Sequence, residues 1–264
     1  MRRPAPLRRL GSALALLAAL AAGASPVRAQ DAAAAQIEAA RAFAALRSAQ
    51  PERMPRLADA EAGPVLRALA DPRALPAEGA QADLAAVSDT CDRAQEASLA
   101  YLSFGAMQNG QFVASVVAGN AAAYQDELAL LQPFLARCIA RQVPLAEATL
   151  RQLDPKLVGQ LRLGGLKRGQ TGVLQLYAGL ATALGDARFG PAYVDALLGA
   201  LAEAAPAHAR ALSVASRAVP RSLAADQVAR AQGERKAAWQ KVLGAMSDTR
   251  CEALCELAAR NGGR

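Results

Sequence analysis

The chain has 264 residues, of which 53% are hydrophobic types, 20% charged and 4% aromatic. About a quarter of the positions are alanine; the chain is too apolar for a disordered protein and, with 4 cysteines, too cysteine-poor for a stapled miniprotein, which leaves one globular domain, or a domain with an appendage. The formal net charge of +7 is concentrated at the start: residues 1–29 hold five of the 30 basic residues and no acid, which leaves 25 basic against 23 acidic residues in the remainder, too even for a nucleic-acid-binding surface.

Arg2, Arg3, Arg8 and Arg9 precede an apolar run from Leu10 to Ala22, followed by Val27-Arg28-Ala29. A basic start, a short apolar run and a small-x-small end predict a secretory leader cut after Ala29. The run is about 13 residues, short of the roughly 18 or more that a spanning helix needs. The expected protein is therefore periplasmic or secreted, with no transmembrane segment once the leader is removed.

Residues 31–50 read as an Ala-rich helix with Ile37, Phe43 and Leu46 as its large apolar positions. Five prolines between Pro51 and Pro76 then predict connectors and short turns, because proline removes a backbone donor. One short helix fits after Gly63-Pro64, with Val65, Leu66 and Leu69 inward. Residues 30–80 thus form a helical extension to a bundle spanning 81–264.

In the bundle, Val87, Cys91, Ala94, Ser98, Tyr101 and Gly105 recur at helical spacing, and Asn109-Gly110 interrupts. A second stripe runs through Tyr124, Leu128, Leu131, Leu135 and Cys138, with Pro133 off the stripe. Later helices are expected over Thr171–Leu184, over the stripe Tyr193, Leu197, Leu201 and Ala204, over Ala224–Met246, and over 249–260. No strand pattern is evident. The fold expected is all-α, an up-and-down bundle of five or six longer helices.

Four cysteines in an exported chain predict disulfides. Cys91 and Cys138 lie on apolar seams of consecutive helices and should pair. Cys251 and Cys255 are left to each other, although helical neighbours four apart can bond only if their helix is distorted.

Most catalytic chemistries lack their residues. The sole histidine, His208, has no second ligand beside it and reads as a partly exposed residue just inside a helix start. Cys251 to Cys255 has three intervening residues and no following histidine, unlike a haem-attachment site, and neither a cofactor nor a metal is expected. Asp126, Glu127, Glu203 and Glu234 are carboxylates by type alone and fall off the apolar seams. One stretch, 156–172, combines glycines with Lys156, Arg162, Lys167 and Arg168. With Thr171 as a helix cap, Lys167 and Arg168 could hold an anion such as a lipid head group or another small molecule. An ordinary interhelix turn explains the same residues. The expected role is non-enzymatic binding or scaffolding of an envelope protein or anionic envelope component, with small-molecule or head-group binding at 156–172 as the alternative. Intact-mass measurement of the exported protein should give a chain beginning at Gln30; a product retaining Met1 would overturn the leader assignment.

Overall fold

A computed structural model describes residues 26–76, 83–152 and 163–261. Ten α-helices account for most of them: α1 (Pro26–Ala49), α2 (Ala62–Leu69), α3 (Leu84–Ser103), α4 (Ala114–Ala123), α5 (Gln125–Gln152), α6 (Leu163–Gly185), α7 (Pro191–Ala211), α8 (Ala218–Arg230), α9 (Gly233–Ser247) and α10 (Ala253–Asn261). Five of these, α1, α3, α5, α6 and α7, are 20 residues or longer. The fold is all-α. The leader's apolar run and the start of the 156–172 stretch lie outside the described residues. Among those described, no helix is long and apolar enough to cross a membrane.

Helix α5 is the centre. From Glu127 to Ala148 none of its residues is exposed, so each polar group on it needs a partner in a neighbouring element. Gln142 accepts no burial without one: its amide donates to Ser88 Oγ on α3 at 3.2 Å. Tyr193 on α7 donates to Gln132 Oε1 at 2.6 Å, and Arg137 meets Glu203 at 2.9 Å. Gln125 accepts from Gly190 N at 2.6 Å and donates to Arg188 O at 3.0 Å, fixing the entry to α7. These pairs climb α5 and α7 in the same direction, so the two helices run parallel. Helix α6 returns between them, since Tyr177 faces His208 while Gln170 reaches Ala211 O. Helix α3 is antiparallel to α5, and α3, α5, α6 and α7 therefore alternate up and down.

The N-terminal segment shares this core rather than hanging beside it: Phe43, Met54, Leu66 and Leu69 belong to the same buried cluster as Tyr101, Leu128 and Leu197. The buried side of α1 is Ala32, Gln36, Ala39 and Phe43, whereas Ile37 and Leu46 are half-buried. Gln36 holds that place because its amide donates to Leu69 O at 2.9 Å and Thr90 O at 3.1 Å. The Pro-rich connector is tied down by Glu127, whose carboxylate accepts Leu57 N at 2.7 Å and lies 3.5 Å from Arg56 Nε, and by Tyr101, which donates to Pro55 O at 2.6 Å.

Several boundaries differ from the sequence reading. Gly105 is not part of the α3 seam. It follows the helix end with φ +64°, where glycine terminates a helix without steric cost. Pro133 is buried, because α5 is enclosed on all sides rather than along one stripe. The expected helix Ala224–Met246 is two helices, α8 and α9, separated by Ala231 and Gln232 just before Gly233, φ +55°. Asn109-Gly110 forms a two-residue turn in a small antiparallel hairpin, β1 (Met107–Gln108) and β2 (Gln111–Phe112). Strands of two residues are too short to show alternation in sequence.

A local device recurs after α2, α6 and α9. In Asp71-Pro72-Arg73, Asp186-Ala187-Arg188 and Asp248-Thr249-Arg250 the carboxylate accepts the backbone N–H of the arginine, at 2.9–3.0 Å, and both oxygens accept from its guanidinium. Each turn is exposed enough to contribute little energy, but it redirects the chain between helices. Next to the third turn, the buried guanidinium of Arg217 donates to the carbonyls of Asp248, Arg250 and Leu212. Burial lowers its pKa.

Both cysteine pairs are bridged. Cys91–Cys138 joins α3 to α5 with the Cα atoms 5.6 Å apart, and Cys251–Cys255 has them 5.1 Å apart. The local pair is possible because α10 begins only at Ala253, which leaves Cys251 in the irregular segment held by Arg217. On the chain-entropy account, the 47-residue separation of the first bond stabilises by about 4 kcal/mol and the 4-residue separation of the second by about 2 kcal/mol. Replacing Cys91 and Cys138 together by Ala should therefore lower the Tm about twice as far as replacing Cys251 and Cys255 together. Equal losses by differential scanning calorimetry would contradict that ordering.

Candidate functional site

Apart from the bridged cysteines, the residues singled out from the sequence come together only where Glu203 and Glu234 share a groove. Lys167, Arg168 and Thr171 are exposed on α6, which begins at Leu163, eight residues before the expected cap. The N–H of Thr171 is thus inside a helix and not at an open end. Lys156 and Arg162 lie outside the described residues. Of the carboxylates, Asp126 is exposed, while Glu127 is 1% exposed and serves the connector described above. Its place on an enclosed helix, not its own apolar spacing, explains why it is inside. Glu203 and Glu234 do line one shallow groove with Lys241, but Glu203 is already paired with Arg137. Among the described residues no three His, Cys, Asp or Glu side chains are grouped to hold a metal ion.

His208 departs furthest from expectation. It lies near the end of α7, not near a start, and is fully buried. Its Nε2 is 3.0 Å from Ala136 O on α5. A carbonyl only accepts, so Nε2 carries the proton and Nδ1 is bare. Nδ1 has no hydrogen-bond partner, and neither has the hydroxyl of Tyr177, whose ring stands edge-on to the imidazole at 6.2 Å. Burial holds His208 down to about 4 and pushes the Tyr177 phenol up. A neutral imidazole enclosed this way packs two helices together; it is closed to a substrate.

What the surface does display is the hairpin. From Ala97 to Gln125 the chain has no charged residue, its longest such run at 29 positions. Within it Met107 and Phe112, cross-strand partners, are 64% and 62% exposed. Asn109 (φ +51°) and Gly110 (φ +76°) make the turn, the pairing that matches hairpin twist. The base is firmly built. Val113 N donates to Ala106 O at 2.8 Å, and Ala106 is fully buried. Asn120 on α4 donates to Leu102 O at 3.0 Å and Phe104 O at 2.7 Å, satisfying carbonyls at the end of α3. Beneath lies an aromatic group in which Tyr124 meets Tyr101 at 5.3 Å and Phe104 at 6.4 Å, with Arg56 stacked 4.8 Å above the Tyr124 ring. The Asn-Gly pair and the missing charges were both visible in the sequence, and together they mark this element.

No family model, curated protein or solved structure matches the chain.

The histidine makes a pH prediction. Its folded pKa of about 4 lies below the ordinary 6.5, so on acidification the unfolded chain takes up the proton first. The stabilisation from neutral, buried His208 is complete above about pH 6.5 and is lost progressively as the pH falls toward about 4, by about 3 kcal/mol in all. His208→Gln keeps an N–H for Ala136 O without that titration. Its Tm should decline less steeply between pH 7 and pH 4 than that of the native chain, and parallel profiles would refute the assignment.

Proposed function

We propose that the chain is an exported, non-enzymatic helical protein that binds or scaffolds a component of the cell envelope. The observation that carries this reading is the displayed hairpin: holding two large apolar side chains in water on a buttressed base has no use for folding. The basic, apolar and small-residue leader pattern supports export, and two disulfides suit an oxidising compartment. Two enclosed titratable groups, Glu127 and His208, support the non-enzymatic part, since each is occupied in holding elements together.

A photo-crosslinking amino acid placed at Phe112 in cells should give an adduct with an envelope component, in the fraction released by opening the envelope. The same probe at exposed Lys236 on α9 should give none. A cytosolic location, or equal labelling from both positions, would overturn the reading.

A further inference from the structure

We infer that the hairpin is a shallow anchor for a lipid bilayer surface, a deepening that rests on the envelope reading above. Three features favour a bilayer over the other occupants of an apolar protrusion. First, the uncharged run covers the end of α3, the whole hairpin and all of α4, from Ala97 to Gln125. Protein interfaces place an apolar centre within a polar, charged rim. A lipid boundary instead penalises charge on the side chains that pass beyond the head groups.

Second, the strands are only two residues long. Met107 and Phe112, with half-exposed Leu99 one turn before the end of α3, offer far less than the roughly 800 Å² per partner of a standard protein interface. A second copy would find too little here to hold a dimer. Two apolar side chains side by side on a stiff turn are, by contrast, the form of an interfacial wedge. Third, the outer edges of a two-stranded ladder leave backbone N–H and C=O groups facing outward, and such groups cannot enter the hydrocarbon interior unpaired. The insertion is therefore limited to the tip, at the depth of the head groups and first acyl carbons. Gln108, Asn109 and Gln111 suit that level, being polar without charge.

The test uses the protein as exported, with phosphatidylcholine vesicles. The native chain should float with the vesicles equally at low and high salt, because no ion pair is involved. Met107→Asp with Phe112→Asp, both at exposed positions, should keep the native Tm and lower the partition at least about tenfold. Any contribution from the N-terminus is common to both proteins and cancels. Phe112→Trp gives an independent reading: its emission should shift to the blue on adding vesicles and be quenched by brominated acyl chains, while the native chain's single tryptophan, the buried Trp239, should respond to neither. Equal flotation of native and Asp-substituted chains would overturn the proposal, as would an unresponsive Phe112→Trp. A native dimer in lipid-free buffer that the Asp substitutions dissociate would also overturn it and assign the hairpin to a second copy. Any of these results, alongside a protein adduct from position 112 in the envelope, would leave the envelope reading standing without the bilayer.

Discussion

Enclosure of a single helix governs this fold. Helix α5 is surrounded between Glu127 and Ala148, yet its sequence carries Gln, Arg and Glu as well as apolar residues. Burying such groups unpaired would cost about 1–3 kcal/mol each, and more where charged. Each is therefore spent on a neighbour: Glu127 on the Pro-rich connector, Gln132 and Arg137 on α7, Gln142 on α3. Near its far end Glu147, 4% exposed, faces Arg210 of α7 at 3.6 Å. Apolar contact alone would let the helices slide; these polar ties set their register. The Cys91–Cys138 bond adds a covalent tie at the middle of the same helix.

The other buried polar groups follow the same logic at the periphery. Gln36 joins α1 to carbonyls of α2 and α3, and Asn120 joins α4 to the end of α3. Arg217 gathers the carbonyls preceding the last helix, where an uncompensated guanidinium would be costly. Single buried atoms of Glu127, Glu147 and Arg210 lack a hydrogen-bond partner, and so does one nitrogen of His208. Its bare Nδ1 and the Tyr177 hydroxyl share an interior without hydrogen-bond partners, so the α5–α6–α7 junction keeps its imidazole neutral.

The hairpin stands out because it reverses this economy. Elsewhere most large apolar groups are inside, Leu99, Val214 and Val219 apart, and most buried polar groups are paired. At Met107 and Phe112 the bulk is outside, while a hydrogen-bonded base and an aromatic cluster keep it there. A floppy loop would fold such side chains back onto the protein. A two-residue turn with both φ values positive cannot bend that way.

The sequence by itself determined the helical class, the main apolar stripes and the pairing of the cysteines. Val87, Cys91, Tyr101, Leu128, Leu197 and Trp239 are all buried as their spacing implies, because helical periodicity is a local property that each segment carries alone. The burial of Gln36, Glu127 and His208 is not legible in the sequence, because it depends on what lies opposite. No spacing rule announces that a carbonyl of α2 or an N–H of the connector will meet them. The start of α6 at Leu163 is likewise absent from the local pattern, whereas the break before Gly233 is a local glycine signal that the apolar stripe overrode. The hairpin lies between the two cases. Its turn was written in Asn109-Gly110, but only the tertiary structure, by burying Ala106 and clamping the end of α3, decided that Met107 and Phe112 would face outward.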